Sequence, residues 1–156
     1  MYNDLLNSQV LWMIGHLTLA AVLGMVIGFE REHRRKPAGL RTYTLVALGA
    51  ALFTIMSFAP LAKDSGASSF DPSRIASQVV VGICFIGGGL IFLKGDRMEG
   101  LTTAAGLWTT AAIGMAAGFG LYTIAIYGTI LVLLVLWALR SLETKIHQGE
   151  EQSRNF

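Results

Sequence analysis

Charged residues and cysteine are both scarce in this sequence. Only 14 % of its 156 residues are Asp, Glu, Lys or Arg, whereas a soluble domain carries about a quarter. The single cysteine, Cys84, excludes an internal disulfide, and no Cys or His spacing is typical of a zinc site. The net charge of +2 is too small to indicate nucleic-acid binding. No nucleophile–base pair or phosphate-binding loop is present, so the sequence predicts neither an enzyme nor a bound cofactor, and leaves a metal site open.

Hydrophobic residues make up 53 % of the chain and fall into long runs with almost no charge. A helix of about 20 apolar residues is needed to cross a hydrocarbon core of roughly 30 Å. A soluble helical protein is disfavoured because these runs leave no polar face toward water. The sequence predicts an all-α membrane protein, a bundle of five transmembrane helices within residues 1–140, followed by a short polar cytoplasmic tail, 141–156. The predicted spans are about 10–29, 42–62, 75–93, 101–119 and 121–139.

The basic residues lie almost entirely on one side of this predicted topology. Ten of the twelve Lys and Arg fall in segments 30–41, 94–100 and 140–156, and the other two are Lys63 and Arg74. Short cytoplasmic segments carry an excess of Lys and Arg. The sequence therefore predicts that the N-terminus is outside and the C-terminus is cytoplasmic.

Small residues recur every four positions in the first and fourth spans, which places them on one helical face. Such faces allow close helix packing in lipid. The third span carries Gln78, Gly82 and a run of three glycines, which predicts either tight packing or a broken helix whose freed carbonyls line a cavity. The fifth span is bulky, as expected of a helix that faces lipid. The glycines singled out for packing or a break are Gly24, Gly28, Gly82, Gly87, Gly88, Gly89, Gly106 and Gly114.

Polar residues gather at the ends of the first, third and fourth spans. Segment 30–41 is either an anchoring loop or an ion-pair network at the inner boundary, with Glu30 joined to Arg34 at the i,i+4 spacing and close to Arg41. Asp71 reads as a helix cap, and a buried Gln78 would need polar partners. Hydroxyls at the start of the fourth span can cap it. The candidate functional residues are Glu30, Glu32, Arg34, Arg41, Asp71, Arg74, Gln78, Thr102 and Thr103.

Three ordered motifs resemble the signatures of the MgtC/SapB family of membrane proteins. They are Glu30–His33 with Lys36–Thr42, then Asp71–Val80 with Gly82–Gly89, and finally Gly100–Ala105 with Trp108. The resemblance covers roughly residues 10–140. Two departures are Cys84, where many members have glycine, and the lack of the soluble C-terminal domain of longer members.

The resemblance implies a multi-pass protein of the bacterial inner membrane, linked to magnesium limitation, acid adaptation or survival inside hosts. The leading hypothesis is a modulator of magnesium or ion homeostasis that forms a homodimer through its glycine stripes and binds another membrane protein. The alternative is a transporter or channel with a polar pathway at Glu30, Gln78 and the Gly-rich third helix. A continuous water-accessible path would favour transport, and a sealed bundle would favour the modulator.

Overall fold

A computed structural model describes residues 2–58 and 72–154 of the chain, with side chains described for 8–57, 74 and 76–139. Five helices and one short hairpin follow in order. They are α1 (Tyr2–His33), α2 (Leu40–Phe58), α3 (Pro72–Gly88), β1 (Phe92–Lys94), β2 (Arg97–Glu99), α4 (Leu101–Gly118) and α5 (Tyr122–Arg154). The predicted cap Asp71 lies outside the described residues, as does the end of the predicted second span.

Five helices form where five were expected, and three of them are long and apolar enough to cross a membrane. These are Ser8–His33, Leu40–Ser57 and Tyr122–Leu139. The helix α3 has only 17 residues, and α4 is built largely of Gly, Ala and Thr. The number of spans and their orientation therefore stay predictions. Beyond the last apolar stretch, α5 continues as a helix to Arg154.

The third predicted span is wrong at its end, and the fold is not purely helical. The helix α3 stops at Gly88, and residues 92–99 form an antiparallel hairpin that pairs Lys94 with Arg97 around the two-residue turn Gly95–Asp96. Successive glycines weaken the helix, and Gly95 has φ 61° at the first turn position, where a type II′ turn requires positive φ. The glycine run thus ends the helix and does not bridge two halves of it.

The core of the bundle is α2, which is packed between α1 and α4. On α1, a Cβ added to Gly24 would lie 2.7 Å from both the Cβ of Ala47 and the carbonyl oxygen of Tyr43. On α4, a Cβ added to Gly114 would overlap the carbonyl of Ala47. Both small-residue faces are therefore used within the chain. This corrects the expectation that they are free to form a homodimer.

The chain direction of each helix follows from these contacts. Gly28 lies against Leu40 of α2, and Gly106 lies against Tyr43, so the end of α1 meets the beginnings of α2 and α4. Gly87 of α3 faces Ala104 near the start of α4, which makes α3 antiparallel to α4 and α2. We call this end, which carries segment 30–41 and the hairpin, the charged end. At the opposite end α4 connects to α5 through Gly120, at φ 76°.

Candidate functional site

The charged end contains a buried arginine, Arg31, that is not among the candidate residues chosen from the sequence. Arg31 is only 3 % exposed, and its Nε contacts Oε2 of Glu30 at 2.5 Å. The predicted i,i+4 pair is also present, with Nε of Arg34 3.5 Å from Oε1 of Glu30. Arg31 follows Ile27 by four residues and Gly28 by three, and both of those are buried. Extending the small-residue face of the first span by one helical turn beyond Gly28 predicts that Arg31 is buried.

Glu32 closes the connection between α1 and α2. Its Oε2 accepts a hydrogen bond from the backbone N–H of Leu40 at 2.8 Å, across the turn that contains Gly39. The first N–H groups of a helix have no partner inside it, and a carboxylate there also complements the helix dipole. Glu32 therefore has a structural role at the start of α2. Arg41 is exposed and shares a shallow polar pocket with Glu32, whereas the ion pairs of Glu30 go to Arg31 and Arg34.

Tyr43 joins α2 to α4 just inside the charged end, and the sequence reading did not select it. Its side chain is completely buried, and its Oη donates a hydrogen bond to the backbone carbonyl of Thr103 at 3.3 Å. The expected capping role of Thr102 and Thr103 is wrong. The N-cap of α4 is Gly100, in the left-handed conformation and without a side-chain hydrogen bond. Thr103 is buried and Thr102 is exposed.

Three buried threonine hydroxyls within the bundle bond to their own helices. Thr54 donates to the carbonyl of Ala50 at 2.8 Å, and Thr110 donates to that of Gly106 at the same distance. Thr129 does likewise with Ala125. These hydroxyls are therefore satisfied without a water-filled path, and they lie among close helix contacts.

Arg74 and Gln78 lie far from the charged end, in an open groove between α2 and α3. Both are exposed, and Gln78 faces the groove, whereas the polar partners expected for Gln78 stay a prediction. The groove has a volume of about 870 Å³, and its walls are otherwise mostly apolar. Phe53 of α2 lines it together with Arg74, and Phe53 follows Leu40 by about 20 Å of helix. The structure therefore does not bring Glu30 and Gln78 into one site.

Two glycines of α3, Gly82 and Gly88, are exposed, whereas Gly87 is buried against α4. A Cβ on Gly82 or Gly88 would meet nothing within 4 Å, and one on Gly87 would make only an ordinary contact with Ala104. Gly89 follows the end of α3. Within the described residues, no group of three His, Cys, Asp or Glu side chains could hold a metal ion.

A second polar contact, also missed from the sequence, links α1 to α5 at the opposite end. His16 Nε2 lies 2.5 Å from Oη of Tyr122, and the two rings meet edge to face. The missing side chain of Gly120 leaves room beside the histidine ring. In sequence His16 belonged to the small-residue stripe of the first span, but nothing in that pattern pointed to Tyr122.

The outer surface of the helices is apolar. Phe85 on α3, Trp12 on α1 and Ile124 on α5 are all more than half exposed. Large exposed apolar surfaces are rare on soluble monomers. Together with three helices of sufficient length and hydropathy, this surface defines a helical membrane protein.

The family is shown by comparison with known sequences. The model of the MgtC family matches residues 17–145, and the chain belongs to the MgtC family. It is 47 % identical over 133 residues to a protein of Escherichia coli K12 named "Putative magnesium transporter YhiD", covering 83 % of this chain and 61 % of that protein. It is 48 % identical over 123 residues to "Protein MgtC" of Brucella abortus, covering 79 % and 49 %.

A third relative, an uncharacterized protein of Haemophilus influenzae, is 38 % identical over 154 residues, covering 96 % of this chain and 65 % of that protein. The chain thus spans about half to two thirds of the length of these curated relatives. No solved structure matches it.

Proposed function

We propose that this chain is a membrane-embedded modulator of magnesium homeostasis, or of adaptation to stress and acid, that acts by contacting another membrane protein. The link to magnesium comes from the family and from a relative named as a magnesium transporter. Five spans of the bacterial inner membrane, with the N-terminus outside, are part of this proposal. They are supported by the concentration of Lys and Arg at the charged end and in segment 140–156.

The observation that carries this proposal is the closed packing of α1, α2 and α4. Glycines bring the three backbones together, and the buried hydroxyls of Thr54 and Thr110 bond within their own helices. Glu30 is engaged by two arginines, and Gln78 lies in a separate groove. This arrangement supports a packed bundle that acts through its surface over a polar pathway through the chain.

Flux measurements test this proposal against transport. The wild type, Glu30→Ala and Gln78→Ala would be reconstituted into proteoliposomes, with Ser77→Ala as the exposed neighbour control. We expect no flux of Mg²⁺, protons or small anions above that of empty vesicles. Flux that Glu30→Ala or Gln78→Ala abolishes, while Ser77→Ala leaves it intact, would establish the transporter instead.

Crosslinking in cells tests for the partner protein and distinguishes it from a second copy of the chain. A photo-crosslinking residue would replace Phe85, which is 88 % exposed on α3, and Leu134, which is 53 % exposed on α5. Under magnesium limitation we expect adducts from position 85 and few from position 134, because α5 is the helix expected to face lipid. Mass spectrometry of the adducts separates a second copy from a different membrane protein. Equal, unspecific labelling at both positions would contradict a protein contact on α3.

A further inference from the structure

We propose that the groove between α2 and α3 is a binding site for one anionic phospholipid, with its phosphate at Arg74 and an acyl chain along the groove. The first support is the charge at the groove mouth. Arg74 is exposed, and no carboxylate among the described residues forms an ion pair with its guanidinium. Arginine binds phosphate through two parallel hydrogen bonds. Gln78, one turn further along α3, adds an amide donor at the same mouth.

The groove has the dimensions of one lipid leaflet. Its α2 wall runs from Phe53, at the Arg74 end, to Thr42, near the charged end, which is about 16 Å of helix. Half of a hydrocarbon core is about 15 Å thick. If the phosphate of a lipid lies at Arg74, its acyl chain can extend along the apolar part of the groove as far as the middle of the bilayer.

Two glycines keep the groove open from opposite walls. Gly49 on α2 and Gly82 on α3 both line it, and a Cβ at either position would meet nothing within 4 Å. They contrast with Gly24 and Gly114, where a Cβ would strike α2. Gly49 and Gly82 are thus not needed for packing within the chain, and larger side chains at these positions would fill the groove.

The volume of the groove suits a small ligand. It is about 870 Å³, within the range of about 300–1,000 Å³ that small-molecule sites span. A partner helix or a second copy of the chain is the competing occupant, and the measurements below distinguish it from a lipid.

Native mass spectrometry of the full chain, released from nanodiscs of mixed phosphatidylglycerol and phosphatidylethanolamine, tests the proposal. We expect one retained phospholipid with about tenfold preference for phosphatidylglycerol, because both lipids offer a phosphate to Arg74 and only phosphatidylethanolamine brings an ammonium group that the guanidinium repels. Arg74→Gln should remove the preference. Gly49→Leu, or Gly82→Leu should the first variant misfold, should remove retention. Gly15→Leu is the matched control, because Gly15 is equally open but lies on α1.

The outcomes separate the lipid from other occupants. Unchanged retention and preference in both Arg74→Gln and Gly49→Leu would overturn the proposal. A dimer mass that disappears in Gly49→Leu, with no change in bound lipid, would assign the groove to a second copy and would also overturn it. Circular dichroism of each variant shows whether its helices are intact. Neither result depends on flux or on a crosslinked partner.

Discussion

The two sides of α2 are built in opposite ways. Toward α1 and α4, glycines remove side chains where backbones touch, and even one added carbon would collide with Ala47. Toward α3, glycines remove side chains where nothing else comes near. The same residue type thus seals one face and opens the other. The role of a glycine in a membrane helix therefore depends on which atoms lie next to it.

The largest loss of stability is expected from adding one carbon where α4 packs on α2, compared with adding one in the groove between α2 and α3. Gly114→Ala should lower the free energy of unfolding by about 3 kcal/mol, because its Cβ meets the backbone carbonyl of Ala47, which cannot move aside easily. The matched change Gly82→Ala should alter it by less than about 1 kcal/mol, since its Cβ meets no atom. Reversible unfolding in mixed detergent and SDS measures both. Equal effects would remove the distinction between the two faces.

Breaking the buried ion pair should have the next largest effect. Arg31→Met should cost about 2 kcal/mol of unfolding free energy, because it leaves the largely buried carboxylate of Glu30 with only the longer contact to Arg34. Arg34→Met should cost less than about 1 kcal/mol, since Arg34 is 34 % exposed. Adding Glu30→Gln to Arg31→Met should recover part of the loss. A larger effect at Arg34 than at Arg31 would contradict this order.

Removing the hydroxyl of Tyr43 tests one hydrogen bond on the closely packed side of α2. Tyr43→Phe should lower the unfolding free energy by about 1 kcal/mol, because the ring stays in place and only the bond to Thr103 is lost. Tyr127→Phe is the control, since Tyr127 is 61 % exposed on α5. If both variants unfold alike, the hydrogen bond between α2 and α4 adds nothing to stability.

The smallest effect is expected in the open groove. Gln78→Ala should change the unfolding free energy by no more than about 0.5 kcal/mol, because no described hydrogen bond holds its amide. The same unfolding titration would detect a loss of 1.5 kcal/mol or more, and such a loss would mean that Gln78 is held by a polar partner.

The helices were predictable because lipid imposes a simple rule on sequence. Long charge-free runs marked all five, and the four-residue repeats on the first and fourth spans marked faces suited to close packing. The helix that packs on those faces was not predictable. Small residues show that another backbone can approach closely, but they do not show which helix it belongs to. Both faces meet α2, whose own pattern of Tyr43, Ala47 and Ala51 gave no comparable signal.

The end of the third span and the closest partner of Glu30 differ from the sequence-based expectations, because local interactions near these residues favour another arrangement. The apolar run predicts that the third span continues to residue 93. In the structure the helix ends within Gly87–Gly89, and the turn at Gly95 forms a hairpin. At the charged end, i,i+4 spacing identified Arg34, but burial made Arg31 the closer partner of Glu30. Gln78 faces a groove, as expected of a polar residue within an apolar run, but no pattern in the sequence shows that this groove is open and mostly apolar.

The hairpin and its contacts fix one end of α3, the end at Gly88. At the charged end, Gly100 packs on the backbone of Leu90, and Gly87 rests against Ala104. Among the described residues, no side-chain hydrogen bond ties α3 to a neighbouring helix along its length. Arg74 lies about 21 Å of helix from Gly88. A tilt of α3 by about 10° about its hairpin end would therefore move Arg74 by roughly 4 Å. A tilt of α3 about this end would therefore change the width of the groove mainly at the arginine.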